Sequence, residues 1–261
     1  QLSAAIHETF VYDGKYSPFR KKTYGNSAEN NPAEQFVIFS QNHDQTGNRK
    51  HGERLISLTD FETAKLVAGT LFVAPNIPML FMGEEYGEQN PFLYFVSHLD
   101  NQLNEQVRRG REQEFEAFQG DGVPAPDPSS VETFSRSKLS WGFTENSEQK
   151  AMLDYYQTLI RFRKDHPVLR KPDKHHLSIY ETDGVFILER WQDANRVIAC
   201  MNYSTESQGV SVPSGIKGKL EKRIDSSSVQ WGGPGEASPG TVTAGNRFAM
   251  KGRSFVIYTS A

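Results

Sequence analysis

The 261-residue sequence predicts an α/β segment followed by an all-β domain. Two observations lead there. Between residues 36 and 83 the order is a short apolar run, a polar loop, an apolar helix and a second short apolar run, which is a βαβ unit with parallel strands. From His175 onward, short β-rich runs alternate with turns and no helix intervenes, which points to a small antiparallel sandwich. The stretch from Val168 to Lys174 reads as the boundary, dividing the chain into residues 1–171 and 172–261.

Residues 2–12 place Leu2, Ile6, Phe10 and Val11 at roughly helical spacing, so the chain is expected to open inside a helix. Residues 13–35 are rich in Gly, Pro, Asn and Ser and read as loop. "FVIFS" (36–40) reads as a fully buried strand. Ser57 or Thr59 is expected to cap an apolar helix through Phe61, Leu66 and Phe72, which Pro75 stops. "PMLFMG" (78–83) reads as a second buried strand. An aromatic patch, "PFLYF", follows, then a charged helix from about Asn101 to Phe118 and a Pro-rich turn. Met152, Tyr156, Leu159 and Ile160 mark a strongly periodic helix that Pro167 ends. In the β-rich part, Asp183-Gly184 is a hairpin signal.

Totals narrow the function classes. A formal charge of −3 gives no reason to expect nucleic acid or an acidic membrane surface as partner. Cys200 is the one cysteine; it sits in an apolar run and fits a reducing, cytoplasmic setting. No signal-peptide pattern and no run long enough for a membrane span are present. Metal-ligand spacings and nucleotide or nucleophile-elbow motifs are absent, so no metal or cofactor is expected.

The chemistry concentrates in "SQNHDQTGNR" (40–49) and "GEEYGEQNPF" (83–92). Each follows a strand, and in parallel α/β architectures ligands bind beyond the carboxyl ends of strands. Both loops are therefore expected to face one pocket holding His43, Asp44, Arg49, Glu84, Glu85, Glu88, Tyr86 and Phe92. Carboxylates, amides and an imidazole bond hydroxyls, and aromatic faces pack on sugar rings, so the set suits carbohydrate. Other roles stay open at this point. His43 suits a structural histidine, Asp44 a turn cap, Glu84 and Glu85 a solvated pair, Tyr86 and Phe92 the core.

"FVIFSQNHDQTGNR" resembles the fourth conserved region of the α-amylase superfamily, a strand followed by Asn-His-Asp. "FVYDGKYSPFR", "QNHDQTGNRKHGERL", "PMLFMGEEYGEQNPFLYF", "VRRGREQEF" and "FSRSKLSW", in this order, resemble the malto-oligosyltrehalose trehalohydrolases from about Phe10 to Leu169. The resemblance implies the C-terminal part of a (β/α)8 TIM barrel followed by an antiparallel β-sandwich. It implies retaining hydrolysis of the α-1,4 bond next to the trehalose end of malto-oligosyltrehalose. Asp44 matches the carboxylate that stabilises the transition state, and His43 the histidine that donates to a hydroxyl of the same sugar. Gln45, Asn48, Arg49 and Glu85 are further candidates for substrate contact. Ser97 before His98 departs from an acidic residue found there in relatives.

A retaining glycosidase also needs a nucleophile and an acid about 5 Å apart. The family's nucleophile pattern, Asp-x-x-Arg-x-Asp-Ala, occurs nowhere in these residues. The chain thus resembles the last two strands of a barrel plus the final domain and is expected to be inactive alone. Its unpaired strand edges are expected to bind the missing half or a second copy. An amylase or branching enzyme and a noncatalytic glucan-binding protein using Trp191 and Trp231 are the competing readings.

Overall fold

The computed structural model describes residues 1–116, 123–182, 184–216 and 218–260. The helices are α1 (Leu2–Glu8), α2 (His43–Gly47), α3 (Leu55–Leu58), α4 (Phe61–Val73), α5 (Asn101–Glu116), α6 (Val131–Arg136) and α7 (Ser147–Asp165). The first four strands are β1 (Tyr16–Ser17), β2 (Lys22–Thr23), β3 (Val37–Ile38) and β4 (Ile77–Pro78). The other eight are β5 (Leu177–Thr182), β6 (Val185–Gln192), β7 (Asn195–Asn202), β8 (Gln208–Ser211), β9 (Lys219–Asp225), β10 (Thr241–Thr243), β11 (Arg247–Met250) and β12 (Ser254–Ser260). Two compact units form, one from residues 1–39, 61–79 and 151–261, the other from residues 40–60 and 80–150.

In the first unit β3 and β4 pair in parallel, Val37 opposite Ile77 and Ile38 opposite Pro78, which is the expected βαβ unit. The strands are shorter than expected. Pairing ends where the Met79 N–H donates to the Ile38 carbonyl at 2.8 Å, so most of "PMLFMG" is not strand. They are also not buried: Val37 is 52% exposed and Ile77 37% exposed. The physical reason is that two paired strands cover each other's backbone but not their side-chain faces, which need further layers.

The apolar helix starts later than Ser57. Residues 55–58 form a separate turn, and Thr59 closes its end by donating from Oγ1 to the Leu55 carbonyl at 2.8 Å. Helix α4 then runs from Phe61 and packs on β7 and β12. Thr70 shares a 2.8 Å hydrogen bond with the Tyr203 hydroxyl. At Gly69 a Cβ would stand 2.3 Å from the buried Phe255 ring, so the helix approaches the sheet there only because the side chain is absent.

Each of the six β-rich runs expected after His175 forms a strand. A six-stranded antiparallel sheet has the order β10-β9-β12-β7-β6-β5, and β11 pairs with β8 as a ribbon. Val185, Ile187 and Val256 from the sheet meet Val210 and Met250 from the ribbon in one core, which also buries Cys200. Strands β10 and β11 were not expected; each is short and carries one fully buried apolar residue, Val242 or Met250, too few to mark a period. Thr182 pairs with Val185 across the predicted hairpin. Asp183 of that signal, and Phe118 of the charged helix, lie outside the described residues.

No helix among the described residues is long and apolar enough to cross a membrane.

Candidate active site

The second unit holds the polar cluster. Asn42 is extended and its side chain accepts the Gln45 N–H at 2.8 Å, so Asn42 is the N-cap of α2. That assigns the capping role to Asn42 and leaves the Asp44 side chain free of it. Asp44 and His43 stand on the first turn of α2, 71% and 69% exposed, with His43 Nε2 3.3 Å from Asp44 Oδ1. An open carboxylate next to an imidazole, both held by a capped turn, is suited to receive ligand hydroxyls.

The remaining expected residues divide. Gln45 is exposed and anchored through its backbone. Arg49 turns to Glu53 at 3.2 Å, and Asn48 accepts from Arg111 at 3.4 Å, so both are engaged within the protein. Glu85 is half-buried beside Glu84. Tyr86 is 1% exposed and its hydroxyl donates to Glu88 at 2.9 Å, while Phe92 packs edge-on against Phe81, which makes both part of the core.

The link between the two polar loops is Glu84. The Ser40 hydroxyl donates to Glu84 Oε2 at 3.4 Å across 44 residues of sequence. Gly83 and Gly87 bracket the Glu84–Tyr86 turn in the left-handed region, and a Cβ on Gly83 would stand 2.8 Å from Glu88 and Leu139. This tight turn buries Glu84 to 6% exposure. Burial pushes its carboxyl up to about 7, and polar groups of Phe81, Gln41 and Ser40 only partly oppose that shift.

The sign of the consequence is fixed. In the unfolded chain Glu84 ionises near 4.5, in the folded chain near 7. Between those values the unfolded state gains stability that the folded state does not. Folding is therefore expected to weaken by about 3 kcal/mol as pH rises from 4.5 through 7, and Glu84→Gln is expected to remove that component. Denaturant unfolding of both proteins at pH 5 and pH 8 checks it.

Three supporting residues were not expected. Arg54 is 1% exposed and donates to the Met82 and Asn90 carbonyls, each at 2.7 Å. Gln41 is buried and accepts the Leu55 N–H at 3.0 Å. Ser140 donates to Glu88 from both its N–H and its hydroxyl, at 2.6 and 3.0 Å. Arg54 precedes an apolar helix and reads as surface charge in sequence; no local pattern marks it as buried. A cavity of about 650 Å³ in the first unit is lined by Phe10, Tyr12, Tyr24, Asn31 and Phe36 and contains none of the polar cluster.

No family model matches the chain. It is 46% identical over 159 residues to a malto-oligosyltrehalose trehalohydrolase of Saccharolobus solfataricus, covering 61% of this chain and 26% of that protein. A protein of the same name from Rhizobium sp. (strain M-11) is 36% identical over 200 residues, covering 76% of this chain and 33% of the relative. A crystal structure described as an alpha amylase from Salmonella typhimurium superposes with a TM-score of 0.80 at 32% identity, covering 99% of this chain and 41% of that one. The alpha-amylase from H. orenii shares the fold, with a TM-score of 0.52 at 18% identity.

The solved structures that this chain resembles in fold are α-amylase family enzymes. In sequence it is a homologue of part of the malto-oligosyltrehalose trehalohydrolases. The chain spans about a quarter to a third of the length of these relatives.

Proposed function

We propose that the chain is the C-terminal part of a retaining α-glucan hydrolase that cleaves next to the trehalose end of malto-oligosyltrehalose. The observation that carries this reading is the exposed Asp44–His43 pair on a capped turn following a parallel strand. Asp44 holds hydroxyls of the distorted sugar and strengthens those bonds as positive charge develops on the ring. His43 donates to a hydroxyl of the same ring. Gln45 and Glu85 offer further contacts; Asn48 and Arg49 must leave Arg111 and Glu53 to do so.

In this reading residues 1–171 belong to the catalytic barrel and residues 172–261 are the β-sandwich domain. The protein is cytoplasmic, and its ligand is a neutral glucan rather than nucleic acid or membrane. The nucleophile and acid lie on other strands of the longer barrel. The faces of β3 and β4, with Val37, Phe39, Ile77 and Met79 exposed, receive that remainder or a second copy.

The noncatalytic reading has less support. Trp231 packs against Tyr155 and Trp191 against His176, so neither presents a free platform pair.

The test is trehalose release from maltotriosyltrehalose by this 261-residue chain, with its intact mass verified. No release is expected. Release would place the catalytic carboxylates within these residues and overturn the assignment of Asp44 as a supporting group.

A further inference from the structure

Glu84 is a buried carboxyl that the proposed chemistry does not use. It receives Ser40 on one oxygen, while its Oε1 is buried and has no hydrogen-bond partner among the described residues. Ser40 and Gln41 directly precede Asn42, the cap of α2. Gln41 in turn accepts from Leu55, so the segment is held from both sides: by Glu84 at Ser40 and by α3 at Gln41. Any shift of Ser40 is transmitted through two peptide units to the cap and to the turn that presents His43 and Asp44.

We propose that Glu84 is a positioning residue for the glucan site: its carboxyl ties the loop after β4 to the loop after β3 and thereby sets the orientation of Asp44. The role rests on the reading of Asp44 as a sugar-binding carboxylate, but the tether itself does not. The geometry favours the neutral acid. Glu85 adds like charge beside Glu84, and the Arg54 guanidinium is already committed to two carbonyls and divides its charge among Glu88, Glu85 and Glu84. An ionised Glu84 must draw water to its unpartnered oxygen, which loosens the turn.

The experiment follows amide resonances of Gln45 and Leu55 in the ligand-free chain from pH 5.5 to 8.5, together with the side-chain carboxyl carbon of Glu84. Wild type, Glu84→Gln, Glu84→Leu and Ser40→Ala are compared. Glu85, Glu88, Arg54, His43 and Asp44 remain in every variant, so a component that vanishes with Glu84→Gln belongs to Glu84. The expected result is one titration shared by the carboxyl carbon and both amides. Glu84→Gln abolishes it and keeps the low-pH positions, and Ser40→Ala displaces Gln45 at every pH. Affinity for maltotriosyltrehalose is expected to fall about tenfold in Glu84→Leu and less than twofold in Glu84→Gln. Amides that ignore both pH and the Ser40 and Glu84 substitutions overturn the proposal. Amides that titrate as expected in a chain that binds no glucan uphold the tether and overturn the sugar-binding reading instead.

Discussion

Replacing Arg54 with Met is expected to destabilise the second unit by about 3–5 kcal/mol, among the largest effects of any single substitution in this chain. Arg54 is a fully buried cation with two short bonds to main-chain carbonyls, those of Met82 and Asn90. Methionine matches the length of the stem but offers no donor. Both carbonyls would then lose a charged donor, at about 1.5–3 kcal/mol for each such bond. Glu84, Glu85 and Glu88 would also lose the positive charge they face. Arg54→Lys is expected to recover part of the loss, since one ammonium cannot span the geometry of a guanidinium fork. Thermal and urea unfolding of the three proteins checks the order wild type, Lys, Met.

Arg163→Met is expected to be of similar size in the first unit. Three carbonyls in the last turn of α4 and just beyond it, those of Phe72, Ala74 and Asn76, accept from Arg163 at 2.7, 2.9 and 2.6 Å. The helix end leaves the Phe72 and Ala74 carbonyls without intrahelical partners, and a cation there also meets the favourable end of the helix dipole. Burial lowers the Arg163 guanidinium to about 10, which still leaves it charged at neutral pH. Arg190 reaches Val73, Ala74 and Lys171 with longer bonds, 3.1 to 3.3 Å, and stands close enough to Arg163 for their charges to oppose each other. Arg190→Met is therefore expected to cost less than Arg163→Met. The double variant should cost less than the two together, because both share the Ala74 carbonyl. Urea unfolding of the two single variants and the double one measures this coupling.

The parts of the fold legible in the sequence are those with a clear period. Met152, Tyr156 and Leu159 recur at helical spacing and are buried on α7. "GVFILERW" and "RVIACMNY" became the paired strands β6 and β7 in register. The strands at Phe36 and Pro78 were legible in kind but not in burial. An apolar run reports what a residue prefers to contact, and the two-strand sheet of this chain does not cover those faces.

The exposed turn bearing Asn42, His43 and Asp44 was legible because a polar cluster follows an apolar run. Its scaffolding was not. Arg54, Gln41 and Arg163 are polar residues whose burial depends on main-chain groups 28, 14 and about 90 residues distant in sequence, a relation that no local pattern encodes. Glu84 and Glu85 look alike in sequence. Only the left-handed turn from Gly83 to Gly87 decides that Glu84 is the buried partner of Ser40 and Glu85 the more open one.

The central claim is that the turn from Asn42 to Arg49 grips one glucose ring of a trehalose-ended glucan. The most direct measurement is a titration of this chain with maltotriosyltrehalose, followed by amide resonances and repeated with Asp44→Asn. The account predicts shifts concentrated at residues 42–49 and 83–88, and an affinity at least tenfold weaker when Asp44 loses its charge. Shifts confined to other residues, or an affinity unchanged by Asp44→Asn, would contradict it.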